Sequence, residues 1–300
     1  MRSGLAGVAT GRAGAGLAAR AVRVRAAAAG AARAVTAIAA LVVLVALAAL
    51  TGCATPAGAW ALPPAGGVPD YQLGGAYEPD PRVTIVGRDR SAPPAADAYS
   101  ICYINGFQTQ PGELDSWPAE VLLRGESGEI RFDPDWPDEA LLDTSSADGR
   151  AVIAETVAGW IEGCARDGFD AVEFDNLDSY TRSDGALSLD DNLALATDLV
   201  AVAHREGLAA GQKNASEDAL ALRDRAGFDF AVTEECSVFD ECGAYTAVYG
   251  EHVIDIEYTQ ALPRPFAEMC ADPAAPRSMV LRDRLLGTPG AEGYAFELCD

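Results

Sequence analysis

The chain has 300 residues, 22 of them basic and 45 acidic, and its formal net charge is −23. So acidic a chain offers no basic face for phosphate contacts, which excludes nucleic acid as a partner. With only His204 and His252 and no CxxC pair, a zinc site is not expected, and we predict no metal and no cofactor.

The first 52 residues have the composition of a signal peptide. Six arginines and no acid lie within residues 1–33, and residues 34–50 form an uninterrupted apolar run. The run leads into LTGC, which resembles the lipobox of bacterial lipoproteins, with Cys53 as the lipidated residue. We therefore predict export and a lipid anchor on the outer face of the bacterial cell membrane. The alternatives are an ordinary secretory signal, which would leave the protein secreted, and an uncleaved anchor.

Residues 53–69 are rich in Ala, Pro and Gly and nearly free of charge, so we predict a tether. Without residues 1–52 the chain has 16 basic and 45 acidic residues, a net charge of −29. Such a field attracts cations, including cationic polymers, although solubility alone would also explain it. Residues 70–300 have the size of one domain, and we expect a monomer.

Strand-like and helix-like segments alternate after residue 70. Eight strands are predicted, at 71–75, 83–89, 100–106, 170–176, 208–214, 228–235, 252–258 and 278–283. Helices are predicted between several of these strands, at 148–167, 189–206, 215–226 and 262–270, and apolar residues recur at helical spacing in the first two. This order predicts an α/β fold, a (β/α)8 TIM-like barrel, irregular in the first two units where the connections are too short for full helices. A doubly wound open sheet is the alternative.

Polar residues collect at the C-terminal ends of these strands, the face that carries function in such barrels. In AVEFDN, Glu173 and Asp175 share one face, which we predict to point into the barrel because Val172 and Phe174 suit the helices. The same alternation places Tyr103 and Asn105 inward. It also predicts that Asp255 and Glu257 point inward, and that Ile254 and Ile256 point outward.

Six cysteines follow Cys53, which in an exported protein predicts three disulfides. Cys102 faces outward from its strand toward the helix that carries Cys164, and Cys236 lies close to Cys242 in one loop. By elimination Cys270 would pair with Cys299, but six cysteines allow 15 pairings and the sequence alone does not fix which of them forms.

Several carboxylates at one barrel mouth suggest hydrolysis of a glycosidic bond by two acids. The chain has no GxSxG, HExxH or P-loop motif that would indicate another common chemistry. The acids of EFDNLDSY could instead bind calcium, although their spacing is not that of an EF-hand. Each acid could also belong to a structural salt bridge.

The strings GFDAVEFDNLDSY, GLAAGQKNASE, FDFAVTEECSVFDECGAY and VIDIEY, preceded by ICYINGFQTQPGE, resemble glycoside hydrolase family 114. This is the endo-α-1,4-polygalactosaminidase-like family, with a (β/α)8 barrel, and the resemblance covers residues 70–300. It implies an enzyme that cleaves α-1,4-linked galactosamine polymer, which is cationic when deacetylated. A non-catalytic carbohydrate-binding lipoprotein on the same barrel is the alternative.

The family's two catalytic acids lie on the fourth and sixth strands and match Asp175 and Glu234. The resemblance implies Asp175 as nucleophile or base and Glu234 as general acid, but the sequence does not fix which acid takes which role. Lys213, the only lysine, is expected beside Asp175. The remaining predicted substrate-binding residues are Tyr103, Asn105, Glu173, Asn176, Asp178, Tyr180, Lys213, Asn214, Glu257 and Tyr258. Phe107, Gln108 and Gln110 depart from the family pattern and are expected to reshape one wall of the cleft.

Overall fold

The computed structural model describes residues 60–260 and 262–299. The predicted signal peptide, Cys53 and the first part of the predicted tether lie outside these residues. Nine strands form one sheet in chain order. They are β1 Pro69–Tyr71, β2 Ile85–Asp89, β3 Tyr99–Asn105, β4 Ala171–Asp175, β5 Ala209–Lys213, β6 Phe230–Glu234, β7 Val253–Tyr258, β8 Ser278–Arg282 and β9 Phe296–Leu298.

Helices lie in each connection from β3 to β8. They are α1 Ala147–Asp167, α2 Leu189–Arg205, α3 Ala219–Ala221, which continues as a π-helix over Leu222–Ala226, α4 Cys242–Tyr249 and α5 Phe266–Cys270. The two long helices begin at serine caps: Ser146 accepts from Gly149 N, and Ser188 forms a reciprocal capping box with Asp191. Within the described ranges, no helix is long and apolar enough to cross a membrane.

The predicted TIM-like barrel is confirmed, including its irregular first two units, where no helix separates β1, β2 and β3. Strands β1 to β8 are parallel, and β9 returns antiparallel along β8. The first strand lies at Pro69–Tyr71 instead of the predicted 71–75. Neither β9 nor α4 was predicted, because a three-residue strand and an eight-residue helix are too short to show a clear period.

Side chains on the two faces of the strands form separate apolar layers. Val172 and Phe174 of β4 pack outward against α1 and α2, while Ala171 faces the barrel interior with Phe230 and Val280. The predicted inward orientation of Glu173 and Asp175 is therefore confirmed. All three predicted disulfides are also present, Cys102–Cys164, Cys236–Cys242 and Cys270–Cys299.

The predicted orientation of β7 is wrong. Ile254 and Ile256 belong to the interior layer, so Asp255 and Glu257 point outward. The register agrees, since Ile256 pairs with Glu234, whose side chain enters the barrel. The two outward acids are buried under the loop that follows β6, where Cys236 N donates to Asp255 and Ser237 N donates to Glu257. Backbone donors thus replace the apolar packing that the alternation argument assumed.

Both histidines lie at the base of the barrel and contact the segment that precedes β1. The ring of Trp60 stacks on His204 with centroids 3.6 Å apart, and His204 contacts Asp229 at 2.7 Å. His252 Nδ1 lies 3.0 Å from the carbonyl oxygen of Pro63. Residues 60–63 therefore pack on the face of the barrel away from the strand C-termini.

Arg282 closes the barrel between its first and eighth strands. Among the described strands, no backbone ladder joins β1 to β8. The fully buried guanidinium of Arg282 bridges this seam instead: it donates to Asp70 Oδ1 at 2.8 Å and to the carbonyl oxygen of Tyr71. Its other nitrogens donate to the carbonyl oxygens of Gly287 at 2.8 Å and Ala295 at 3.0 Å.

We expect Arg282→Ala to lower the free energy of unfolding by about 3–5 kcal/mol, because it leaves the buried Asp70 carboxylate without its cation. Urea denaturation followed by circular dichroism measures this. Arg277→Ala is the matched control: that arginine is 80% exposed and pairs with Glu251 only at 3.8 Å, so its loss should have little effect. Equal stability of the two variants would show that the seam does not depend on Arg282.

Candidate active site

A cleft of about 530 Å³ opens at the C-terminal ends of the strands. Eight of the predicted site residues line it: Tyr103, Asp175, Asn176, Asp178, Lys213, Asn214, Glu234 and Tyr258. They come from β3, β4, β5, β6 and β7 and from the loops that follow them. The barrel thus brings together residues that lie up to 155 positions apart in the chain.

Lys213 lies at the centre of the site and is almost fully buried, with 2% of its side chain exposed. Its Nζ lies 3.6 Å from Asp175 Oδ2 and 3.3 Å from Glu234 Oε2, and it donates to the hydroxyl of Tyr71 at 3.1 Å. Burial alone would lower the pKa of this ammonium group. The carboxylates of Asp175, Glu234 and Glu173 outweigh burial and raise the pKa, so Lys213 stays charged.

Glu234 is held by donors on both of its oxygens. Oε1 accepts from the hydroxyl of Tyr258, and Oε2 accepts from Asn214 Nδ2 at 3.1 Å and faces Lys213. Burial opposes ionisation, but Lys213 and these hydrogen bonds prevail and lower the pKa of Glu234. Glu235 is distinct from it, since Glu235 Oε2 pairs with Arg284 at 2.5 Å.

Asp175 is oriented by two hydrogen bonds besides its contact with Lys213. Oδ2 accepts from the hydroxyl of Tyr103 at 2.8 Å, and Oδ1 accepts from the backbone N–H of Asn176 at 2.7 Å. The side chain of Asn176 in turn donates to Asn105 at 3.0 Å and accepts from Arg182 at 3.0 Å. These contacts fix the Asp175 carboxylate at the C-terminal end of β4, where it lines the cleft.

Below these two acids lies a buried layer formed by Glu173 and Tyr71. The Tyr71 hydroxyl donates to Glu173 Oε1 while it accepts from Lys213. Burial raises the pKa of Glu173 to about 7 although Lys213 acts against this. Gly87, opposite Tyr71 on β2, makes room for the ring: a Cβ there would lie 2.5 Å from Tyr71 Cδ2.

Three neighbouring strands end in the same backbone conformation. The residues directly after β4, β5 and β6 are Asn176, Asn214 and Glu235, with φ of 63°, 50° and 59°. This left-handed region is unfavourable for residues other than glycine, and asparagine tolerates it best. The sharp turn leaves Asp175, Lys213 and Glu234 as the last strand residues, with their side chains directed to the cleft.

Four predicted substrate-binding residues do not line the cleft. Glu257 points outward from β7, which is the error of orientation described above. Tyr180 packs beside Leu187 and donates to Asp218 at 2.9 Å. Glu173 and Asn105 are buried: Glu173 accepts from the hydroxyl of Tyr71, and Asn105 accepts from Asn176, which lines the cleft.

Sequence reasoning missed cleft residues that come from loops. Trp136, Glu139, Phe239 and Glu241 line the cleft. None follows a strand directly, so the rule of polar strand ends could not find them. Burial and the nearby Asp175 raise the pKa of Glu139 to about 7, while Asn105 donates to it at 3.0 Å. Carboxylates outnumber cations in the cleft, where the basic side chains are Arg182, Lys213 and Arg284.

The structure offers one group of potential metal ligands. Among the described residues, only Cys236, Cys242 and Asp255 bring three such ligand atoms within 4.8 Å of one another. The two cysteines are bonded to each other as a disulfide, so their sulfurs are not thiolate ligands.

The chain matches known proteins in family and in fold. The model of glycoside-hydrolase family GH114 matches residues 49–300. The crystal structure of Aspergillus fumigatus Ega3 in complex with galactosamine aligns with a TM-score of 0.64 and 21% identity, over 81% of this chain and 98% of that one. The glycoside hydrolase domain of PelA from Pseudomonas aeruginosa aligns with a TM-score of 0.50 and 13% identity, over 75% and 97%. No curated protein sequence matches significantly. At these identities, the structural alignments establish the fold.

Proposed function

Because this chain belongs to glycoside-hydrolase family GH114, we propose that it hydrolyses α-1,4-linked galactosamine polysaccharide, with Asp175 and Glu234 as its catalytic carboxyl groups. One observation carries the proposal: both carboxylates line the cleft and both contact the same ammonium group, Lys213 Nζ. Ega3, a protein of the same barrel fold, has been crystallised in complex with galactosamine, which supports the choice of sugar.

Two carboxyl groups on either side of a glycosidic bond are sufficient for hydrolysis. One donates a proton to the leaving oxygen, and the other attacks the anomeric carbon or activates a water molecule. Since Asp175 Oδ2 and Glu234 Oε2 contact one nitrogen, they lie at most about 7 Å apart, which allows the 5–5.5 Å of retaining enzymes and the lower end of the inverting range. The pKa of Glu234 is lowered in the protein without substrate. Which of Glu234 and Asp175 is the general acid, and which the nucleophile or base, stays a prediction.

The charge of the cleft suits a cationic substrate. Carboxylates on several loops face the cavity, and the basic side chains nearest to them are already paired: Arg182 with Asp133 and Asp178, and Arg284 with Glu235. An amino sugar without its acetyl group carries a positive charge that such a surface attracts. This favours a deacetylated galactosamine polymer over a neutral one.

We also propose that the enzyme acts outside the cell on a lipid anchor. Residues 1–52 would be the signal peptide, Cys53 the lipidated residue, residues 53–69 the tether and residues 70–300 the catalytic domain. The three disulfides support an oxidising compartment. The expected monomer remains part of this proposal.

Asp175→Asn and Glu234→Gln should each lower the release of reducing ends from deacetylated α-1,4-galactosamine polymer by roughly 10²–10⁴-fold or more, because each removes one acid-base group. Glu235→Gln should lose much less, since the Glu235 carboxylate is engaged by Arg284. Full activity in both of the first two variants would refute the assignment. Binding of the polymer by wild type without any product would identify a non-catalytic carbohydrate-binding protein.

Lys213→Met should move the acidic limb of the pH–rate profile to higher pH by roughly 1–3 units. The reason is that Lys213 holds the pKa of the Glu234 carboxyl group down, so without the lysine this carboxylate takes up its proton at a higher pH. Arg225→Met is the control, because Arg225 pairs with Asp190 on the surface. An unchanged acidic limb in Lys213→Met would remove this lysine from the mechanism.

Cys53→Ser should release the protein from the membrane fraction of an expressing bacterium and abolish labelling with an alkyne-tagged fatty acid, since the thiol that accepts the lipid is lost. Cys270→Ser serves as the control for loss of a cysteine, and should leave labelling intact. Labelling that persists in Cys53→Ser would contradict the lipid anchor.

A further inference from the structure

The long connection between β3 and α1 builds one wall of the cleft. Within it, residues 132 and 140 form an antiparallel bridge, and Asp133 N donates to the carbonyl oxygen of Glu139 at 2.9 Å. Residues 133–139 are thus the tip of a hairpin, here named the Trp136 turn. Four of its residues line the cleft: Asp133, Asp135, Trp136 and Glu139.

A buried carboxylate holds the Trp136 turn in place. Asp133 is 1% exposed. Its Oδ1 accepts from the backbone N–H groups of Asp135 at 2.8 Å and Trp136 at 3.3 Å. Its Oδ2 accepts from Gln108 at 2.7 Å and pairs with Arg182 at 2.6 Å. Gln108 belongs to the segment that departs from the family pattern, so this departure anchors the wall of the cleft.

Trp136 presents a large apolar surface to the cleft. Its side chain is 52% exposed, although burying an indole is strongly favourable. By contrast, the rings of Tyr103 and Tyr258 are buried, and their hydroxyls are engaged by Asp175 and Glu234. The apolar face of a sugar ring, formed by its C–H groups, is a suitable partner for the exposed indole.

Glu139 adds a carboxyl group on the same turn. Asn105 holds Glu139 Oε2 at 3.0 Å, and Asn105 pairs in register with Asp175 across β3 and β4. The carboxyl group therefore lies beside a catalytic residue. Burial and the charge of Asp175 raise the pKa of Glu139 to about 7, so a positively charged partner would stabilise the ionised form of Glu139.

We propose that the Trp136 turn is a sugar-binding subsite next to Asp175, in which the indole of Trp136 packs on the face of one galactosamine ring and Glu139 binds an amino group of the same polymer. The identity of the sugar in this subsite rests on the proposed function. The shape of the subsite does not, because Asp133 holds the turn through contacts within the protein.

The test measures binding of deacetylated α-1,4-galactosamine oligosaccharides to the Glu234→Gln variant by isothermal titration calorimetry. With Trp136→Ala introduced into this variant, the Kd should rise by roughly tenfold or more, and a tenfold rise corresponds to about 1.4 kcal/mol of binding free energy. Trp136→Phe should recover part of that loss, because it keeps an aromatic face. Phe132→Ala is the matched control: Phe132 lies on the same hairpin and is 39% exposed, but it does not line the cleft.

A second comparison tests Glu139. Glu139→Gln should weaken binding of the deacetylated oligosaccharides by several-fold to about tenfold and leave binding of N-acetylated oligosaccharides of equal length unchanged. Asp138→Asn, the neighbouring exposed acid that does not line the cleft, should bind both as the parent does. Unchanged binding in Trp136→Ala, or equal losses for both sugars in Glu139→Gln, would overturn the subsite. Melting temperatures near that of the parent show that the variants are folded.

The two proposals fail in different ways. Cleavage by wild type combined with unaltered binding in Trp136→Ala and Glu139→Gln would refute the subsite and uphold the function. No cleavage by wild type, combined with binding that depends on Trp136 and Glu139, would refute the function and uphold the subsite. Absence of both cleavage and binding would refute both.

Discussion

The site depends on one buried ammonium group. Lys213 Nζ lies between Asp175 and Glu234 and above the Tyr71–Glu173 pair, where several acids share a small, poorly solvated volume. Without a cation there, burial would favour the protonated form of Glu234, whose pKa Lys213 lowers. A lysine is suited to this position because its charge is compact and its donors can point to three partners at once. The only lysine of the chain is therefore a central element of the site.

Closure of the barrel and construction of the site share a residue. Arg282 bridges the seam by donating to the backbone oxygen of Tyr71, and the hydroxyl of the same tyrosine accepts from Lys213. The seam therefore helps to position the ring on which the lysine rests. Both buried cations neutralise carboxylates that would otherwise be costly to bury, Asp70 at the seam and Glu234 at the mouth.

The cleft is shaped by two kinds of structure. Its floor comes from strand ends, where a left-handed residue after β4, β5 and β6 directs the preceding side chain to the opening. Its walls come from loops that carry exposed aromatic side chains, the Trp136 turn on one side and the disulfide-bonded loop with Phe239, which is 62% exposed, on another. Strand ends that form the floor of a site and loops that form its walls are typical of such barrels.

The sequence by itself determined the barrel and the strand ends that carry Asp175 and Lys213, because strand spacing and polar strand ends are local properties. The choice of Glu234 over Glu235 came from the family resemblance, and the tertiary structure decided the pairing of the cysteines. Only the tertiary structure decided the facing of β7 and the presence of Trp136 and Glu139 in the cleft. Alternation tells which residues share a face, but both faces of a barrel strand are buried, so it does not tell which face is inside. Asp255 and Glu257 pointed outward because the loop after β6 supplied their hydrogen bonds. Trp136 and Glu139 reached the cleft because Gln108 and Arg182, both distant in sequence, hold Asp133 of the turn that carries them.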